Sequence, residues 1–355
     1  MLLRPEHPNH PDHPNHASYL DHPSHPNGRH IIVSDEEYGL PYSKGLMATG
    51  LMATGLAPDQ AFRVATIIEE HLTENFSDSI SHVELTCLAL AVLKEEAGDR
   101  YADLYDKWQT LRRLSRPLIV LLGGPTGAGK STLATMLASR LGITRVIPTD
   151  AIREVMRAMF SGDLLPTLQS SSYDTTRVIR HPVPRGSDPI IAGFREQASA
   201  VAVGIEALMR RAVDEGSHLI VEGAHVVPGF VDPRRYAGDA IVVQLLISVD
   251  DEDLHRSHFV LRGATTGSRP SERYLEFFDN IRRIHAYLTS MAEEHGVPVV
   301  QSYNLDTTLV EIIDLVVNEA VRSVPEANEP SDLPVVGGTP RRNGATRTTE
   351  KRGTP

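Results

Sequence analysis

The stretch PLIVLLGGPTGAGKST, residues 117–132, decides the fold. Five aliphatic residues in a row, Leu118 to Leu122, read as a short strand buried on both faces. The turn after them reads G-x-x-x-x-G-K-S from Gly124, and STLATMLASRLG continues as a helix. Strand, glycine loop and helix in that order make a phosphate cradle. Glycines let successive backbone N–H groups converge on an anion, and the helix N-terminus adds a positive field. The predicted nucleotide contacts are Gly124, Thr126, Gly127, Ala128, Gly129, Lys130, Ser131 and Thr132. Lys130 is placed for the β- and γ-phosphates and Ser131 for Mg²⁺. No NKxD-like segment comes after it to read guanine, which disfavours a GTPase.

Downstream, TRVIPTD, HLIVEG, AIVVQLLISV and VPVVQSY repeat the strand texture, with helical stretches between them. This alternation predicts one α/β domain over 117–323, a five-stranded parallel sheet wrapped by helices. Ligands of such sheets gather at the carboxyl ends of the strands. Glu222 and Asp150 are among the carboxylates that fall there. Glu222 closes HLIVEG, as a metal or acceptor ligand or as a cap on the next turn. Asp150 closes the TRVIPTD strand, 20 residues after Lys130. It suits a group that orients an acceptor hydroxyl or takes its proton, and equally a helix N-cap. Arg153 and Arg157 share its helical face and suit an anionic acceptor.

Basic usage is lopsided, with 30 arginines against five lysines among the 35 cationic residues. Arg177, Arg180, Arg185 and Arg195 lie in or beside a Pro/Gly-broken segment, 161–193, long enough to be a substrate arm. A second candidate arm is DDEDLHRSHFVLRGATTGSRPSERYLEFFDNIRRIHAYL. Arg256 and Arg262 sit on one helix, a Gly/Thr/Ser/Pro hinge comes next, and Arg269 and Arg273 open the helix beyond. That pattern predicts a lid closing arginines over phosphates and excluding water, with Arg262 against the substrate.

Outside that domain the sequence is plainer. Residues 1–30 alternate Pro, His and Asn, and 324–355 are rich in Pro, Gly, Thr and charge; both are expected to be disordered tails. Residues 31–113 read as a small, mainly helical domain after one short strand, HIIVSD. Its helices are PDQAFRVATIIEEHL, SDSISHVELTCLALAVLKEEAG and DRYADLYDKWQTLRRL; the tandem GLMATGLMATGLA joins a helix or its entry. The single cysteine, Cys87, reads as core. A net charge of −11 argues against nucleic acid or anionic membranes as partners. The chain lacks a membrane-length apolar run and a signal-peptide h-region, so the cytoplasm is the expected compartment.

GGPTGAGKST, RLGITRVIPTDAIREVMR, LLPTLQSSSY and EGAHVVPG, in that order, resemble the 2-phosphoglycerate kinase family. The resemblance covers the α/β domain nearly end to end. It implies a P-loop kinase fold, ATP and Mg²⁺, and transfer of a phosphoryl group to 2-phosphoglycerate, a small anion that would occupy Asp150, Arg153, Arg157, Glu222 and Arg262. HIIVSDEEYGLPYSKGLMATGL followed by APDQAFRVATIIEEHL is similar to an ATP-cone, which implies a nucleotide contact at Lys44. An arginine usual in such modules is missing from GLMATGL. Three functions fit these residues: a 2-phosphoglycerate kinase with Lys130, Asp150 and Arg153 as its catalytic groups, a kinase for another phosphorylated polyol such as an inositol phosphate, and a nucleotide sensor without turnover. Oligomeric state is open.

Overall fold

The computed structural model describes residues 31–34, 39–76, 79–112, 116–179, 183–266 and 271–322. Both expected tails, Arg180, Arg269 and the side chain of Arg262 lie outside the described residues.

The first part contains β1 (Ile32–Ser34), β2 (Gly39–Pro41), α1 (Lys44–Met52), α2 (Pro58–Asn75), β3 (Ser79–Ser81), α3 (His82–Glu96) and α4 (Asp99–Arg112). Among the described residues it holds three short strands where one was expected. β1 pairs antiparallel with β2 and parallel with β3, Ile32 lying opposite Ser79. SIS, expected within a helix, is β3, because only Ile80 of the three is buried and Ser81 already caps α3. The Ser81 hydroxyl accepts the Glu84 N–H while the Glu84 carboxylate accepts the Ser81 N–H, a reciprocal capping box that fixes the start of α3. Cys87 is exposed and not core. α3 is apolar almost all round, and it buries the face carrying Leu85, Ala89, Val92 and Leu93, which Cys87 does not share.

The α/β part comes next, with β4 (Leu118–Gly123), α5 (Lys130–Leu141), β5 (Val146–Pro148), α6 (Thr149–Met159), α7 (Pro189–Asp214), β6 (Leu219–Glu222), β7 (Ile241–Ser248), α8 (Glu252–Thr266), α9 (Ser271–Glu276), α10 (Phe278–His295), β8 (Val299–Gln301) and α11 (Leu305–Arg322). All five strands are parallel, in the order β5-β6-β4-β7-β8. β4, at the centre, is buried along its whole length, which is why it reads as an unbroken aliphatic run. α5 packs beside α11 on one face; α7 packs beside α10 on the other. One apolar cluster joins Ile119, Leu121 and Val221 to Val201, Ile205 and Met209 of α7; another joins Leu246 to Phe278, Ile281 and Leu288. No helix among the described residues is long and apolar enough to cross a membrane.

The two parts meet at α5 and α11. Arg140, in the last turn of α5, donates to the carbonyls of Leu56 and Met52. Arg100 of α4 pairs with Asp314, and Lys107 donates to Asn318 Oδ1 at 3.1 Å, both partners on α11.

Candidate active site

The central strand ends where the sheet order splits, with β6 on one side and β7 on the other. In register, Leu122 lies opposite Glu222, so the carboxylate at the end of β6 stands beside the start of the glycine loop. The loop enters α5 at Lys130. Gly127 has φ +89°, and a Cβ there would lie 2.4 Å from Phe259 Cζ, so only glycine fits. Lys130 is 8% exposed and its ammonium donates to the Pro125 carbonyl at 2.7 Å, folded over the loop it serves. The Ser131 hydroxyl donates to Glu222 Oε1 at 2.8 Å. A hydroxyl and a buried carboxylate at that distance, beside a phosphate loop, form the hard-oxygen pair that suits Mg²⁺.

These groups open into one cavity of about 370 Å³. Its floor is Thr126, Gly127, Lys130 and Ser131; Glu222, Asp150 and Arg153 form one wall, and Arg273 and Tyr274 another. The remaining wall is Ser171, Ser172 and Tyr173, the end of the LLPTLQSSSY stretch. Asp150 is not on the strand but in the first turn of α6, where its charge also complements the helix dipole. Arg153 Nε stands 3.7 Å from Asp150 Oδ1. Most of this guanidinium is committed elsewhere: Nη1 donates to the carbonyls of Leu168 and Ser170, both at 3.1 Å, and Nη2 to Glu154. Arg153 is thus a strut between α6 and the 166–173 loop as well as a positive charge on the cavity wall.

Not every predicted residue meets there. Gly124, Ala128, Gly129 and Thr132 shape the loop and the start of α5 without lining the cavity. Arg157 pairs with Glu154 at 2.7 Å and lies off the cavity wall, since the seven residues from Asp150 carry it past the end of the pocket. Lys44 is in the N-terminal part, bonded to Glu69 Oε2 at 2.9 Å. Arg256, expected over phosphates, instead lies on the Phe278 ring, 3.8 Å from its centre. Of the lid arginines, Arg273 reaches the cavity, near Asp174 at 3.9 Å.

Two histidines of α8 support the loop from behind. His255 Nε2 donates to the Thr126 carbonyl at 2.8 Å and His258 Nδ1 to the Gly127 carbonyl at 3.0 Å. In a trans peptide the carbonyl and the next N–H point opposite ways. Pulling two carbonyls toward α8 therefore turns the succeeding N–H groups away from it. Burial lowers the His255 pKa to about 4, so the ring is neutral at physiological pH; Arg282 lies 3.4 Å from Nδ1 and leaves the proton on Nε2. These histidines have no part in the site as read from the sequence alone. Their spacing of three, which puts both on one helix face toward the loop, was the available signal.

A zeta toxin family model matches residues 102–173, from α4 through the glycine loop to Tyr173. Among solved structures, the shikimate kinase from Acinetobacter baumannii in complex with shikimate is 16% identical, with a TM-score of 0.33, covering 59% of this chain and 97% of that one. Relatives in sequence are much nearer. The 2-phosphoglycerate kinase of Methanopyrus kandleri is 38% identical over 302 residues, 85% of this chain and 91% of its own length. That of Thermococcus kodakarensis is 40% identical over 285 residues, 80% of this chain and 96% of its own. At such identity over most of both chains, this protein belongs to the 2-phosphoglycerate kinase family.

Proposed function

We propose that this kinase transfers the γ-phosphoryl group of ATP to the free hydroxyl of 2-phosphoglycerate, giving 2,3-bisphosphoglycerate and ADP. The observation that carries the reading is a single cavity with a phosphate loop at its floor and an Asp150–Arg153 pair on its wall. The relatives' shared name supplies the acceptor.

In this reading the loop N–H groups and Lys130 hold the β- and γ-phosphates. Ser131 and Glu222 hold Mg²⁺, which when bound neutralises charge on the phosphates. Asp150 accepts a hydrogen bond from the acceptor hydroxyl and aims its oxygen at the γ-phosphorus. Arg153 and Arg273 supply positive charge for the acceptor's phosphate and carboxylate. Ser171, Ser172 and Tyr173 offer hydroxyls to the same anion. Catalysis is then positioning plus charge neutralisation, the two terms that dominate phosphoryl transfer.

The test is ADP release with Mg–ATP and, in parallel, 2-phosphoglycerate, 3-phosphoglycerate, an inositol phosphate or no acceptor. The reading predicts release that depends on 2-phosphoglycerate and collapses in Asp150→Asn. Faster release with another acceptor, or equal release with none, would overturn it.

A further inference from the structure

Behind the cavity wall lies a buried polar chain built from three stretches far apart in sequence. Thr149 opens α6, His225 lies just past β6, and Gln197 sits on α7. Their exposures are 0%, 1% and 0%. Thr149 Oγ1 lies 2.9 Å from His225 Nδ1, and His225 Nε2 lies 3.0 Å from Gln197 Oε1. The Gln197 amide nitrogen donates to the carbonyls of Thr167 at 2.5 Å and Ser170 at 3.0 Å.

Donor and acceptor roles along this chain are forced from one end. The Thr167 and Ser170 carbonyls only accept, so Gln197 must present its NH₂ to them and its oxygen to His225. His225 Nε2 must then carry the proton, and Nδ1 must accept from the Thr149 hydroxyl. Burial favours the same neutral ring, holding the His225 pKa down to about 4, against the opposing pull of Asp150 and with Arg153 and Lys130 reinforcing it. Thr149 can come this close because residue 223 is glycine; a Cβ there would lie 1.8 Å from Thr149 Oγ1. The Ser170 carbonyl receives a second donor, Arg153 Nη1 at 3.1 Å. Ser171, Ser172 and Tyr173, the next three residues, are the cavity wall.

We propose that Thr149, His225 and Gln197 are positioning residues: a one-way hydrogen-bond relay that fixes the Ser171–Tyr173 wall relative to Asp150 and so sets acceptor binding, while leaving the nucleotide loop to its own supports. Asp150 is the residue after Thr149, so the relay ties the group that faces the acceptor hydroxyl to the wall that faces the rest of the acceptor. The proposal rests on the acceptor occupying this cavity, as in the kinase reaction proposed for it.

Three variants in the full chain test it with 2-phosphoglycerate and Mg–ATP. Gln197→Glu keeps shape and the His225 contact but sets a carboxylate oxygen against two carbonyls. Thr149→Val keeps shape and removes the hydroxyl; Thr149→Ser restores it. The expected result is a rise of about tenfold in the acceptor KM for Gln197→Glu and Thr149→Val, with the ATP KM within about twofold and recovery in Thr149→Ser. If Gln197→Glu does not fold, the Thr149 pair decides. Acceptor and ATP KM rising together, or an unchanged acceptor KM in folded Thr149→Val, would overturn the proposal. Nitrogen-15 NMR of the imidazoles needs no turnover: His225 is expected as the neutral Nε2–H form at pH 6, and an Nδ1–H or doubly protonated ring there would also overturn it. Wild-type protein inactive on 2-phosphoglycerate would sink the acceptor assignment instead, leaving the ring's tautomer to decide the relay.

Discussion

In the proposed reaction, Lys130 is the residue on which the nucleotide half of the site turns. It is nearly buried, yet its ammonium is held at the loop by the Pro125 carbonyl. Lys130→Ala is expected to lower turnover by about 100- to 1,000-fold, the usual cost of losing one preorganised charge, with the fold intact by circular dichroism. Gly127→Ala is different in kind. Its Cβ must displace Phe259, at a backbone φ that alanine rarely adopts. The expected result is weaker ATP binding by calorimetry and a lower Tm together. Both residues were legible in the sequence, because a strand, a glycine loop and a lysine are local chemistry in a fixed order. Thr149, Gln197 and His225 were not. Each sits inside an otherwise apolar or loop segment, and its partner lies 76 or 28 residues away. Nothing local shows that such a polar side chain is buried and satisfied.

Among the helices, α8 and α10 carry buried histidines that make stability depend on pH. Burial holds His255 and His285 each at about 4, against about 6.5 when unfolded. Between those values the unfolded chain takes up protons that the folded chain refuses. Their contribution is therefore complete above pH 6.5 and is lost progressively as pH falls toward 4. Tm is expected to drop across that window, and His285→Gln to make the drop shallower; an equal slope in the variant would contradict the assignment. The elements also show where pattern reading stops. The five strands of the parallel sheet came through because each is an aliphatic run of its own. The tandem GLMAT is part of a helix as expected, but the repeat does not show burial: Leu46 in the first copy is 74% exposed, while Leu51 in the second is fully buried. The first copy lies in α1, and the second runs out of it into a turn at Gly55. Identical peptides take different states because tertiary packing, not propensity, decides.

Across the whole molecule, the N-terminal part is fastened to the helix that begins at the phosphate loop. Arg140 closes α5 and donates to the carbonyls of Leu56 and Met52, just past and within the last turn of α1. Arg140→Ala removes both bonds and is expected to cost about 1 kcal/mol, seen as a Tm lower by a few degrees with the acceptor KM unchanged. No composition or periodicity signals such a junction, since it depends on one side chain meeting two carbonyls of a distant turn. The proposed reaction of the assembled molecule passes a phosphoryl group from the floor of the cavity to a hydroxyl of 2-phosphoglycerate. Phosphorus-31 NMR of the enzyme with Mg–ATP and 2-phosphoglycerate reads it directly. The prediction is loss of the γ-phosphate signal matched by ADP and by a product bearing two phosphomonoester resonances. Inorganic phosphate in place of that product, or an unchanged spectrum, would contradict it.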